Sequence, residues 1–231
     1  MGEKTVKRLK ALYIVVEFAL TVLAIMALMK LFNKHNRAIR RAWAKMQKYL
    51  IGYSIKVEGK PDSEAKMLLI NHQSILDIVV LEELHPGNLA WVAKKEIAQI
   101  PIWGNILSIP KMITIDRESK TSLVKLFKDV KDRLSSGRVI AIFPEGTRGR
   151  GDKLLKFKDG TRVLAQKLKL KVQPVVIVGS RRVLDSQNLT SQSGEIKVIY
   201  LDAIDPSDDK DWYIKVQENM KETLAKHTQL T

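Results

Sequence analysis

Residues 67–84 read MLLINHQSILDIVVLEEL and join two patterns. The short apolar run MLLIN predicts a β-strand, and SILDIVVLEEL directly after it has the spacing of a helix. A strand that passes through a short loop into a helix is the repeating unit of α/β proteins. This stretch therefore predicts an α/β fold.

The rest of the chain after Gly52 repeats this alternation. RVIAIF and PVVIV are apolar without alternation, as expected for strands buried on both faces. Further strands are predicted in YSIKVEG, LAWVA, MITI and EIKVIYLD, and further helices in TSLVKLFKDVKDRL, TRVLAQKL and WYIKVQENMKETLAK. We expect a single domain over residues 51–231, with a mixed sheet covered by helices, and a surface loop at the polar residues 180–194.

The composition excludes some kinds of functional site, and the positive charge is concentrated in the first quarter of the chain. With no cysteine among its 231 residues, the chain cannot form disulfides, thiolate zinc sites or a cysteine nucleophile. The formal net charge is +15, and residues 1–60 hold 13 Lys/Arg against 3 Asp/Glu. Two-thirds of the positive excess therefore lies in this first quarter.

Within that quarter, residues 11–29 are apolar except for Glu17 and Thr21. This length approaches that of a membrane-spanning helix, whereas a buried core helix is the alternative. Basic residues flank both ends, so the positive-inside rule gives no orientation. The segment is predicted to enter a membrane.

A second helix is predicted directly after it. In HNRAIRRAWAKMQKYL the apolar residues Ile39, Trp43, Met46 and Leu50 recur at helical spacing, with basic residues between them. That pattern is typical of a helix at a membrane surface, with a solvated basic face as the alternative. We interpret residues 1–50 as a two-helix membrane anchor, buried in one leaflet.

The common catalytic motifs are missing. There is no G-x-S-x-G, no Walker A lysine motif and no H-E-x-x-H, and GTRGRGD lacks the spacing of a dinucleotide-binding loop. Covalent catalysis by serine or cysteine therefore has no support in the sequence.

The pair His72 and Asp77 follows the strand MLLIN. If His72 lies in the loop and Asp77 in the first helical turn, the imidazole can fold back onto the carboxylate. A carboxylate on one ring nitrogen fixes the tautomer and leaves the other nitrogen as a base. The alternative is a capping box, in which Ser74 and Asp77 only stabilise the helix start.

Three other predicted strands end in polar residues at the edge where α/β proteins build their sites. FPEGTR follows RVIAIF, MITIDR ends in Asp116 and Arg117, and WVAKKE carries Lys94 and Lys95. Each could be an ordinary solvent-exposed strand end. Together, a His-Asp pair without a nucleophile suits general-base activation of a hydroxyl towards an activated electrophile such as a thioester, and the cations suit a phosphate.

In this order, NHQSILD, MITIDR, FPEGTR and VQPVVI resemble the four motifs of the glycerolipid acyltransferases, over about residues 57–178. FPEGTR after an N-H-x4-D motif is most similar to the 1-acylglycerol-3-phosphate acyltransferase branch. The resemblance implies transfer of an acyl chain from acyl carrier protein or coenzyme A to the 2-hydroxyl of lysophosphatidic acid. Gly149 follows FPEGTR where this branch often has Ser.

The resemblance also implies roles for single residues. His72 would be the base, Asp77 its orienting partner, and Arg117 the ligand of the acceptor phosphate. The acceptor site would further involve Lys94, Glu145, Gly146, Thr147 and Arg148.

The implied setting is a membrane. The resemblance implies no metal and no cofactor beyond the thioester co-substrate, and no nucleic acid partner. The enzyme would be bound to the phospholipid bilayer, with its catalytic domain on the cytoplasmic face. Two other classes stay open: a basic membrane-tethered binding module, which leaves His72 and Glu145 unexplained, and a metal-dependent hydrolase, for which paired ligand spacing is absent.

Overall fold

The computed structural model describes residues 2–116, 122–149 and 153–228. Its helices are α1 Glu3–Leu31, α2 Asn36–Ile51, α3 Leu76–Leu84, α4 Lys95–Gln99, α5 Asn105–Ser108, α6 Ser122–Ser135, α7 Asp159–Leu168, α8 Ser180–Val183 and α9 Trp212–Thr228. Its strands are β1 Tyr53–Glu58, β2 Met67–Ile70, β3 Leu89–Lys94, β4 Ile113–Ile115, β5 Val139–Ile142, β6 Val172–Val178, β7 Leu184–Asp185, β8 Thr190–Ser191 and β9 Gly194–Tyr200.

Seven strands form one mixed sheet in the order β1-β9-β6-β2-β5-β3-β4. The five strands from β6 to β4 run parallel to their neighbours, whereas β9 is antiparallel to β6 and parallel to β1. The predicted α/β fold with a mixed sheet is therefore confirmed. Because β2, β5, β3 and β4 are parallel, the loops that follow them all leave from one edge.

Helices cover both faces of this sheet. Successive residues of a strand point to opposite faces, so Leu68 and Ile70 of β2 pack in one hydrophobic cluster and Met67 and Leu69 in another. The first cluster includes side chains of α1, α2 and α3, and the second includes those of α6, α7 and α9. β2 is buried on both faces and can hold the loop after it in a fixed place.

The two N-terminal helices pack against each other through the two polar residues of the apolar segment. Gln47 of α2 donates to Oε1 of Glu17 at 2.8 Å, and the Trp43 indole donates to Oγ1 of Thr21 at 3.0 Å. Trp43 is buried and contacts Phe18 edge-on with ring centroids 5.0 Å apart. Part of the predicted membrane-facing side of α2 is thus occupied by packing inside the protein, while Met46 is 41% exposed. Gly52, at φ 78°, ends α2 in the left-handed conformation.

The predicted surface loop at residues 180–194 is wrong. The segment forms the one-turn helix α8 and the hairpin β7–β8, and Val183 and Leu184 are buried in the first cluster. Ser191 donates to the carbonyl of Val183 at 2.7 Å, and Ser74 donates to that of Leu184 at 2.7 Å. Polar residues that suggested a loop, such as Ser191 and Asp185, are buried and make internal hydrogen bonds.

A buried ionic cluster joins α2 to α3. The carboxylate of Glu82, 3% exposed, accepts hydrogen bonds from Arg40 and from Arg37, the latter at 3.1 Å. The indole of Trp91 donates to the same carboxylate at 2.7 Å, and Arg40 also donates to Asn88 at 2.6 Å. Every charge in this cluster has a partner, as burial of charge requires.

Replacing Arg40 by Met is expected to lower the free energy of unfolding by about 3 kcal/mol, since Glu82 loses one charge partner but keeps Arg37. The matched control is Arg41→Met, because Arg41 is exposed on the same helix; its effect should stay within about 0.5 kcal/mol. Denaturant unfolding in detergent micelles measures both. Equal effects would mean that Arg40 contributes no more to stability than an exposed arginine.

Candidate active site

His72 follows β2 and bonds directly to Asp77. Its Nδ1 lies 2.9 Å from Oδ2 of Asp77, the side chain of Asp77 is fully buried, and that of His72 is 14% exposed. Oδ2 also accepts the backbone N–H of Gln73 at 2.7 Å and that of Ser74 at 2.9 Å. One carboxylate oxygen therefore receives three contacts from the loop between β2 and α3.

These contacts fix the tautomer of the imidazole. Because Oδ2 already accepts two N–H groups, Asp77 acts as an acceptor, and Nδ1 of His72 must carry the proton that it donates. Nε2 then keeps its lone pair. The arrangement presents a basic nitrogen on the side of the ring away from Asp77.

The capping function of Asp77 coexists with its contact to the imidazole. Asp77 lies in the first turn of α3 and accepts the N–H of Ser74, while Oγ of Ser74 accepts the N–H of Leu76 at 3.3 Å. This reciprocal pattern is close to a capping box. The two interpretations of Asp77 are therefore compatible, and the helix start serves as the support of the pair.

Asn71 is a site residue that the sequence analysis did not single out. It is 1% exposed, its amide donates to the carbonyl of Ile177 at 2.9 Å, and its Oδ1 accepts the N–H of Ile177 at 2.7 Å. These two hydrogen bonds to β6 continue the pairing of the sheet beyond the end of β2. An asparagine directly after a buried apolar run was the available signal.

The loop after β5 forms a tight turn beside His72. The N–H of Gly146 donates to the carbonyl of Phe143 at 3.0 Å, which closes a β-turn around Pro144, and Gly146 has φ 78°. Only glycine adopts that conformation readily. The N–H of Gly149 donates to the carbonyl of His72 at 2.8 Å, so the two loops are held together.

Glu145 lies inside this turn and bridges two backbone segments. It is 3% exposed, and its oxygens accept the N–H of His72 and the N–H of Leu155, each at 2.7 Å. Burial, helped by the nearby charge of Asp77, raises the pKa of Glu145 to about 7, although the two hydrogen bonds act in the opposite direction. Glu145 thus supports the backbone of His72, and both its oxygens are used within the protein.

The remaining predicted site residues differ in their surroundings. Arg148 is half-buried and donates to Oγ of Ser186 at 2.6 Å, in the turn between β7 and β8. Thr147 is exposed, and so is Lys94 at the end of β3. Lys95 lies 3.6 Å from the Asp116 carboxylate. Arg117, predicted to bind a phosphate, lies outside the described residues.

The geometry brings one base and one fixed cation to the same edge of the sheet. The loops after β2, β3 and β5 leave that edge together, and Arg148 is three residues after Glu145 in the loop that bonds to His72. Such a site can remove a proton from a bound hydroxyl and hold an anionic group nearby.

Comparison with known proteins identifies relatives of this chain. A model of the acyltransferase family matches residues 54–178. A 1-acyl-sn-glycerol-3-phosphate acyltransferase of Helicobacter pylori (strain J99) is 38% identical over 231 residues, which cover 98% of this chain and 97% of that protein. A lyso-ornithine lipid O-acyltransferase of Rhizobium meliloti (strain 1021) is 32% identical over 126 residues, 54% of this chain and 42% of that protein.

A solved structure shares the fold. The crystal structure of the 1-acyl-sn-glycerophosphate (LPA) acyltransferase PlsC from Thermotoga maritima has a TM-score of 0.74 to this chain at 22% identity, and the match covers 96% of this chain and 95% of that one. The family model spans the sheet loops that carry His72, Asp77 and Glu145, and the Helicobacter relative matches almost end to end. The chain belongs to the acyltransferase family.

Proposed function

We propose that this chain moves a fatty acyl group from a thioester donor to the 2-hydroxyl of 1-acylglycerol-3-phosphate, forming phosphatidic acid. The fixed pair of His72 and Asp77, with Nε2 free to accept a proton, is the observation that carries the proposal. The near full-length similarity to a Helicobacter 1-acyl-sn-glycerol-3-phosphate acyltransferase supports the choice of acceptor.

The reaction proceeds without an acyl-enzyme. Nε2 of His72 takes the proton of the acceptor hydroxyl as its oxygen attacks the thioester carbonyl. The tetrahedral intermediate collapses with cleavage of the C–S bond, and the imidazolium returns the proton to the leaving thiolate. Asp77 keeps the imidazole in the required tautomer and stabilises its protonated form.

The acceptor phosphate is bound by arginine. Arg148 donates to Ser186 from the loop that contacts His72. Arg117, which lies outside the described residues, is the second proposed ligand of the phosphate. A guanidinium can bind a phosphate through two parallel hydrogen bonds. Lys94 and Thr147, both exposed at this edge, and the turn made by Glu145 and Gly146 complete the acceptor site.

The donor is the thioester of acyl carrier protein or of coenzyme A, and no other cofactor takes part. The thioester supplies the activation that a general base alone cannot provide. The protein is bound to the bilayer with its catalytic domain on the cytoplasmic face, where these donors occur.

The surface of α1 supports membrane binding. Among the described residues, Glu3–Leu31 is the one helix long and apolar enough to cross a membrane. Within its most apolar stretch of 18 residues, 28% is buried inside the protein. Exposed apolar side chains run along the helix at Val6, Leu9, Leu12, Tyr13, Val15, Val16, Leu20, Leu23, Leu28 and Leu31. An exposed apolar surface of this length marks a site where the protein contacts something other than water. We infer that α1 lies within one leaflet, because basic residues flank both its ends.

The first prediction treats His72 and Asp77 as one catalytic unit. His72→Ala should lower turnover by about 10³-fold, within the range for loss of a general base. The His72→Ala, Asp77→Ala double variant should be scarcely slower, because Asp77 acts through His72. Steady-state assays with lysophosphatidic acid and an acyl thioester measure both, and a chelator should leave the wild-type rate unchanged.

The alternative gives the opposite result for the single Asp77 variant. If Asp77 only caps α3, Asp77→Ala lowers the melting temperature but leaves turnover intact. That outcome would remove Asp77 from the mechanism.

A second prediction concerns the phosphate. Arg148→Ala should raise the KM for lysophosphatidic acid on the order of tenfold, since a charged hydrogen bond is worth about 1.5–3 kcal/mol. Arg148→Lys should restore it poorly, because a point charge lacks the planar fork. Arg133→Ala is the control, since Arg133 donates to the carbonyl of Lys111, which precedes β4 at the opposite edge.

The acceptor series tests the same assignment. Lysophosphatidic acid, glycerol-3-phosphate and a lyso-lipid without phosphate are compared under one donor, supplied in turn as acyl carrier protein and coenzyme A thioester. Equal use of the acceptor that lacks phosphate would contradict a phosphate site at Arg148.

The third prediction concerns the anchor. Because the chain has no cysteine, Glu3→Cys and Lys34→Cys place single thiols before and after the apolar part of α1. In sealed vesicles, an impermeant thiol reagent added from one side should label both positions or neither. Labelling of only one would establish a spanning helix.

A further inference from the structure

The imidazole of His72 is held on its face as well as at its edge. The ring of Phe143 lies parallel to that of His72, with centroids 3.8 Å apart and an angle of 14° between the planes. The indole of Trp91 lies on Phe143 in turn, with centroids 5.5 Å apart and planes at 21°. Three flat rings are therefore stacked behind the proposed base.

The contact at the edge alone does not orient Nε2. A hydrogen bond from Nδ1 to Asp77 fixes the position of one ring atom but permits the plane to tilt about the bond. A stacked ring removes that freedom, because tilting the imidazole would separate the two faces or make them collide. The bond and the stack together define the direction in which Nε2 points.

The stack has a rigid support. Trp91 is 4% exposed, and its Nε1 donates to the carboxylate of Glu82 at 2.7 Å. That carboxylate is held by Arg40 and Arg37 of α2. The indole can neither slide nor rotate without breaking a bond to a buried charge.

We propose that Phe143 is a positioning residue for His72, and that Trp91, fixed by the Glu82 cluster, holds Phe143 in place. The inference rests on the proposed function of His72 as the base. It also connects α2, next to the membrane-facing helix, with the reacting nitrogen through a continuous line of contacts: Arg40, Glu82, Trp91, Phe143 and His72.

Phe143→Leu removes the flat face while keeping an apolar side chain. We expect kcat to fall about 10- to 100-fold, the scale of a small misplacement of a catalytic group, with the KM for the acceptor unchanged. Phe143→Tyr keeps the ring and should recover most of kcat. Phe127→Leu is the matched control, because Phe127 packs in the hydrophobic cluster on the other face of the sheet.

Two Trp91 variants test the support. Trp91→Phe keeps the stack but loses the bond to Glu82, whereas Trp91→Leu loses both. The proposal requires kcat to fall in the order wild type, Trp91→Phe, Trp91→Leu. Equal kcat in all three would overturn the role of Trp91.

A double-variant comparison separates positioning from general structural support. In the His72→Ala background, Phe143→Leu should have no further effect on the residual rate, because its target is gone. A full additional loss in that background, or an unchanged kcat in the single Phe143→Leu variant, would overturn the proposal. Full turnover of His72→Ala itself would instead overturn the proposed function.

Discussion

The buried Oδ2 atom of Asp77 is the contact on which the site depends. It accepts the Nδ1 proton of His72 and the backbone N–H groups of Gln73 and Ser74. Oδ1 of the same buried carboxylate has no hydrogen-bond partner among the described residues, so the bonds that offset the cost of burying this charge are made by Oδ2. The loop after β2 is therefore shaped around this one oxygen, and the same bonds that start α3 also set the tautomer of the imidazole.

Two further constraints surround this centre. Glu145 fixes the backbone of His72 through its N–H, and Phe143, two residues earlier in the same turn, covers the face of its ring. The turn that carries them requires the positive φ of Gly146. A short motif therefore supplies a backbone bond, a ring contact and a fixed cation to a histidine that is distant in sequence.

The sequence predicted those features that depend on local spacing. The unbroken apolar runs at RVIAIF and PVVIV became β5 and β6, and the five-residue spacing from His72 to Asp77 became a hydrogen bond. Contacts between segments that are distant in the sequence could not be predicted from local spacing. The bond from His72 to Glu145 spans 73 residues. The burial of Val183 and Leu184 depends on distant partners such as Ser74, and the ring stack requires β3 and β5 to be neighbours.

The tautomer of His72 is the most direct test of this account. Protein labelled with nitrogen-15 at histidine has four imidazoles, and the His72→Gln spectrum identifies the signals of His72. Long-range nitrogen–proton correlations distinguish a protonated ring nitrogen from one with a lone pair. We expect Nδ1 to carry the proton and Nε2 to be unprotonated, and Asp77→Asn to disturb this state. A neutral His72 with the proton on Nε2 in the wild-type protein would contradict this account.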